Sequence, residues 1–215
     1  MEGILDLLGS DLGKKIISGV SGSTGTDQNK TGSVLTMALP VLMKAMERNA
    51  STPEGAQGLM GALNNKHDGS ILDNLSGLFG GGVDEEVKTD GDKILGHVLG
   101  NKRRGVEQVI GQKSGVDASS VGDILKVAAP ILMGLLGKQS RQNNVSSQSD
   151  LTSLLGGLLG GASQRGPVTK EQTFLEQVLD SDGDGSVIDD VAGMLLGGNK
   201  KKSGLGGLLG GLFGK

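Results

Sequence analysis

The chain has no cysteine, tryptophan or tyrosine, and only three phenylalanines in 215 residues. Without cysteine there are no disulfides and no thiolate metal ligands. Without large aromatics the core must be built from Leu, Ile, Val, Met and Ala, which bury less area per residue. No aromatic residue interleaves the short basic runs to stack nucleic-acid bases, and a net charge of -3 supplies no basic field to draw nucleic acid in. Two short basic runs, Lys102-Arg103-Arg104 and Lys200–Lys202, read as solvated faces. The two histidines, His67 and His97, have no nucleophile motif or phosphate loop around them and read as solvated or helix-packing residues. Neither an enzyme nor a small-molecule substrate is expected on that basis. No basic region precedes the first apolar segment, so the N-terminus does not read as a secretory signal. No uninterrupted apolar run approaches the roughly 18 residues that span a bilayer. A cytoplasmic location is the expectation.

What is present is a repeat. Val34–Met43, VLTMALPVLM, returns 90 positions later as Ile124–Met133, ILKVAAPILM. Gly32, Leu35, Ala38, Pro40, Leu42 and Met43 recur unchanged as Gly122, Leu125, Ala128, Pro130, Leu132 and Met133. The same offset carries Ile4-Leu5 onto Ile94-Leu95, Gly25 onto Gly115 and Asp27 onto Asp117. A glycine that ends one helix, followed by an aspartate that caps the next, gives both residues a backbone reason to recur. Such self-similarity marks a module written twice.

Helical spacing of Val34, Leu35, Ala38, Val41, Leu42, Ala45 and Met46 makes one apolar face. Pro40 and Pro130 fall inside these helices and predict a kink or a restart, since proline removes an intrahelical hydrogen bond. Further on the offset rises to 116: Leu59, Ala62, Leu63, Asp68, Gly69 and Ser70 align with Leu175, Val178, Leu179, Asp184, Gly185 and Ser186. The second copy therefore carries an extra 26 residues, at about 138–167. They comprise a polar run, which reads as a loop, and LTSLLGGLLGGA, which reads as a glycine-rich apolar helix. The expected organisation is a first module over 1–82, a charged linker over 83–93, a second module over 94–198, and a basic, glycine- and leucine-rich tail over 199–215. The fold class is all-α: two duplicated bundles of short helices.

One stretch has recognisable chemistry. Asp180, Asp182 and Asp184 alternate and are followed by Gly185, the opening of an EF-hand-type calcium loop. Calcium takes six to eight oxygens, alternating carboxylates can all turn inward, and glycine at the sixth position allows the bend. The Ser186 carbonyl fills the seventh position. At the twelfth, where the full motif has a bidentate Glu, this chain has Val191, and the nearest carboxylates are Asp189 and Asp190. The shell is then closed by Asp190 or by water, with weaker binding than a buffer-type site. Magnesium, which demands a regular octahedron, suits the loop less well. In the first copy the equivalent positions are Asn64, Lys66 and Asp68 before Gly69. There the Lys66 ammonium stands where a ligand would, and is expected to replace the ion's charge.

The Pro-containing helix ILKVAAPILMGLLG and the closing DSDGDGSVIDDVAGMLLGG resemble the YidB-like family of uncharacterised bacterial proteins. The resemblance covers about 94–198 and, more weakly, the first copy. It implies an all-helical bacterial cytoplasmic protein and brings no known activity.

The tail places Leu205, Leu208, Leu209, Leu212 and Phe213 on one helical face, with glycines opposite. Each glycine costs up to about 1 kcal/mol against alanine in a helix, so the tail needs a surface to fold on. The expected function is a non-enzymatic, calcium-binding structural or scaffold protein that self-associates as a homo-oligomer. The alternative is a peripheral membrane protein held at the bilayer surface by the basic-apolar tail.

Overall fold

The structure, a computed structural model, describes residues 3–163. Within them the chain is helical and contains no strand. The first helices are α1 (Ile4–Gly9), α2 (Asp11–Thr24) and α3 (Gln28–Ala50). They are followed by α4 (Pro53–Asn65), α5 (Ser70–Asp73), α6 (Leu75–Gly80) and α7 (Glu85–Leu99). A 3-10 turn leads into α8 (Arg103–Ser114), α9 (Ala118–Gln142) and α10 (Gln148–Ser163).

Local chemistry sets most of the boundaries. Ser10 separates α1 from α2: its hydroxyl accepts from the Gly13 amide at 3.2 Å, while its own amide donates to the Leu7 carbonyl. Gly25 and Gly115, the pair related by 90 positions, both end helices in the left-handed conformation at φ 67°. Two residues on, Asp27 accepts from the amides of Asn29 and Lys30, and Asp117 accepts from that of Ser120. These aspartates satisfy amides that the first turn leaves without intrahelical partners. α3 and α9, the two longest helices among the described residues, run through Pro40 and Pro130 without a restart.

Residues of both copies meet in one hydrophobic core. Val34, Leu35, Leu42, Met43 and Met46 of α3 are fully buried, as are Ile124, Leu125 and Leu136 of α9. α3 packs on α7, α8, α9 and α10, and α9 packs on α2, α4 and α5 as well as on its own neighbours. By length and composition α9 could cross a membrane, with a mean hydropathy of 1.5 over its most apolar window. Yet 83% of that window is buried inside the protein, so its apolar surface is spent on the core.

Two stretches differ from expectation. The segment over 83–93, read as a charged linker, enters helix α7 at Glu85. Glu85 and Glu86 sit in its first turn, where negative charge complements the helix dipole. α7 then lies so close to α9 that a Cβ on Gly91 would stand 1.8 Å from the Lys126 carbonyl oxygen. The polar run after Lys138 is partly helical too, because α9 continues to Gln142 before the chain turns. The leucine-rich segment beyond forms α10, with Leu151, Leu154, Leu155 and Leu158 buried.

Candidate functional site

Asp180, Asp182, Asp184, Ser186, Asp189 and Asp190 lie outside the described residues, as does the tail over 204–215. The described counterpart of the acidic loop is the connection between α4 and α5. α4 closes with the amides of Lys66 and His67 both donating to the Ala62 carbonyl, at 3.1 and 3.0 Å. Asp68 then accepts from the Ser70 amide at 3.0 Å, and Gly69 turns the chain at φ +101°, a conformation that favours glycine. Ser70 opens α5, and the Ile71 side chain comes down on Gly134 of α9.

The loop is seated on α9 by the absence of side chains. A Cβ on Gly134 would meet the Ile71 Cγ2 at 2.4 Å, and one on Gly137 would meet the His67 carbonyl oxygen at 1.8 Å. At the same places in α3, 90 positions earlier, stand Lys44 and Glu47. The seat thus belongs to the second copy's long helix alone and serves the first copy's loop.

Charge around the loop is arranged differently from the sequence expectation. Lys66 does not neutralise the loop. Its ammonium pairs with Asp90 of α7 at 2.5 Å, and His67 Nε2 lies 3.6 Å from the other oxygen of the same carboxylate. The cation facing Asp68 is instead Arg141, near the end of α9, at 3.0 Å. The Ser70 hydroxyl and amide, together with Arg141, hold the Asp68 carboxyl well below the usual range. Spacing places Lys66 at a ligand position of the loop, but its long side chain reaches a carboxylate on a neighbouring helix. Asp90 and Arg141 were not singled out from the sequence. Their role depends on which helices meet, and no local motif marks it.

His67 is buried, at 7% exposure, and lines a small pocket with Asp90, Val87 and Pro130. Burial lowers its pKa below the ordinary 6.5; the Asp90 carboxylate opposes that shift and Lys66 adds to it. His97 is exposed, with Nδ1 2.7 Å from the Lys93 carbonyl. Among the described residues no group of three or more His, Cys, Asp or Glu is placed to hold a metal ion. What the loop does chemically is structural. It connects α4 to α5 through the Gly69 turn, buries one imidazole, and ties the end of α4 to α7 and α9 by ion pairs.

No curated protein and no solved structure matches the chain. One family model does, over residues 6–139 and again over 141–215, and so accounts for nearly the whole sequence. The chain belongs to that family, DUF937, described as bacterial proteins of unknown function.

Proposed function

We propose that the protein is a non-enzymatic, calcium-binding structural protein that self-associates. The observation that carries this reading is the spacing Asp180, Asp182, Asp184, Gly185 with the Ser186 carbonyl next in line. That donor set consists of hard oxygens on alternating residues around a glycine bend, which is what calcium selects. Asp190, or Asp189 with water, completes the shell in place of a bidentate Glu. Four or five carboxylates in one short loop repel each other until a divalent cation balances them, so the ion stabilises the second copy through linkage to folding. Self-association is assigned to the tail over 204–215, whose five large apolar side chains need a covering surface. Calorimetric titration of the full chain with calcium, and with magnesium as the comparison, tests the metal reading. Heat of binding for calcium that disappears in Asp182→Ala supports it. No saturable heat with either ion overturns it.

A further inference from the structure

A narrow cleft runs between α1, α2, α3, α5 and α9, lined without a polar atom by side chains that include Leu7, Leu8, Leu12, Leu39, Leu72 and Leu135. Its free volume is only about 20 Å³, so it takes side chains laid across its lip and not a whole helix. Of these, Leu39 and Leu135 are buried, whereas Leu7, Leu8, Leu12 and Leu72 are only half-buried. We infer that this cleft is covered by the chain's own segment Phe174–Leu179, packed within the same molecule.

Three observations choose that occupant. The first is where the described chain ends. The Gln148 side chain, at the start of α10, donates to the carbonyls of Ala50 and Ser51 at 3.0 and 2.9 Å, at the C-terminal end of α3. α10 packs along α3 and also against α1. α10 therefore touches α1, one wall of the cleft, and the chain continues from the end of that helix. The second is the next apolar group in the sequence. Phe174, Leu175, Val178 and Leu179 lie at helical spacing on one face, eleven residues past Ser163. That linker reaches about 35 Å when extended. The segment's nearness in sequence also gives it a higher effective concentration at the cleft than the tail some 30 residues further on.

The third is the fate of its counterpart. Leu59, Ala62 and Leu63, the first-copy equivalents of Leu175, Val178 and Leu179, sit on α4, which packs against α3 and α9, with Leu63 only 1% exposed. In the second copy α10 has taken a place on α3 directly after α9, so the equivalent segment needs another apolar seat. The cleft offers one, with walls drawn from the same two helices. This inference depends on neither calcium nor self-association.

The absence of native cysteine allows a direct test in the full chain. Leu12→Cys is combined with Phe174→Cys, and in separate chains with Phe213→Cys and with Glu54→Cys as a distant control. Each is oxidised at low protein concentration. A crosslink at monomer mass for the 12–174 pair, several-fold above the other two, is the expected result. Preferential crosslinking of 12 to 213 overturns the inference in favour of the tail, and crosslinked dimers overturn it in favour of a second copy. No crosslink above the control overturns it altogether. In chains free of engineered cysteine, Phe174→Asp is expected to raise amide exchange in α1 and α2 about tenfold. Exchange unchanged there would also overturn the inference.

Discussion

The carbonyl oxygen of His67 lies 1.8 Å from the point where a Cβ on Gly137 would stand. The loop of the first copy and the long helix of the second are fitted backbone to backbone at that point. A methyl group there cannot be absorbed by rotating a side chain, since its neighbour is main chain. Gly137→Ala should gain about 1 kcal/mol of helix propensity and lose more, up to about 3 kcal/mol, to overpacking. Gly58, in α4 with nothing within 4 Å of its Cβ position, should show the gain alone on Gly58→Ala. Thermal melts of the two variants should therefore move in opposite directions. A stabilised Gly137→Ala protein would mean the loop does not sit on α9.

His67 predicts a pH dependence. Its pKa in the folded protein is lowered from 6.5, chiefly by burial. The unfolded chain therefore binds the proton more readily, and stability rises with pH wherever the unfolded state is the more protonated. The free energy of unfolding should fall as the pH drops below about 6.5, over the window down to the folded-state pKa. Urea titrations of wild type and His67→Gln between pH 7.5 and 5.5 check this. The variant should have the flatter profile in that interval, even if it is less stable throughout. Equal slopes would assign the effect to other groups.

The residues that could be read ahead of the structure are those whose job is local. Asp27, Asp117, Gly25 and Gly115 act on their own helix ends, and a short window contains everything they need. The apolar stripes of α3 and α9 were legible for the same reason. Lys66 stands at a ligand position of the loop, but its charge goes to Asp90, 24 residues away on another helix, which no local window contains. The stretch over 83–93 looked like a linker since it is rich in charge and poor in apolar side chains. It is helical because Gly91 lets it approach α9 and because Ile94, Leu95 and Leu99 anchor its second half. The acidic loop over 180–190 was read from spacing, and its residues lie outside the described part of the chain.

The Asp68–Arg141 pair and the Gly69 turn should differ in weight. Both side chains of the pair are well exposed, so solvent and salt screen the attraction. Gly69 holds φ +101°, and a Cβ there would stand 2.9 Å from the Lys138 Cβ. A non-glycine residue held in such a conformation costs roughly 1–3 kcal/mol. Gly69→Ala should thus destabilise clearly more than Arg141→Ala in chemical denaturation at neutral pH. Because the Asp68 carboxyl is held below its ordinary 3.8, what the pair does contribute should be lost only as the pH falls through and below that value.

The self-association reading rests on the tail. Deletion of 204–215 should lower the mass measured by light scattering in solution to that of a single chain. An unchanged oligomer would remove the tail as the assembly element. If the full chain is instead monomeric and floats with anionic vesicles, and the deletion abolishes flotation, the basic run Lys200–Lys202 and the leucines after it serve a membrane surface.

The calcium reading makes a quantitative demand. An ion that binds only the folded state at a hundred times its dissociation constant adds about 2.7 kcal/mol of stability. For a chain of this size each 1 kcal/mol moves the melting temperature by about 2–4 °C. Saturating calcium should therefore raise the transition by roughly 5–10 °C over the same protein in chelator. The shift should be confined to unfolding that includes the second copy's closing segment. Asp182→Ala should abolish most of it, because removing one of three alternating carboxylates takes away both a ligand and the charge that selects a divalent cation. Lys66→Asp tests the other side of the argument, placing a carboxylate at the third ligand position of the first copy's loop. That substitution should not create a second site, since Asp68 is turned toward Arg141 and Ser70 and is not free to face an ion. Calcium stoichiometry rising from one to two in Lys66→Asp would show that the first loop had lacked only a charge. Equal melting in calcium and chelator for the wild type would reduce the acidic loop to a turn.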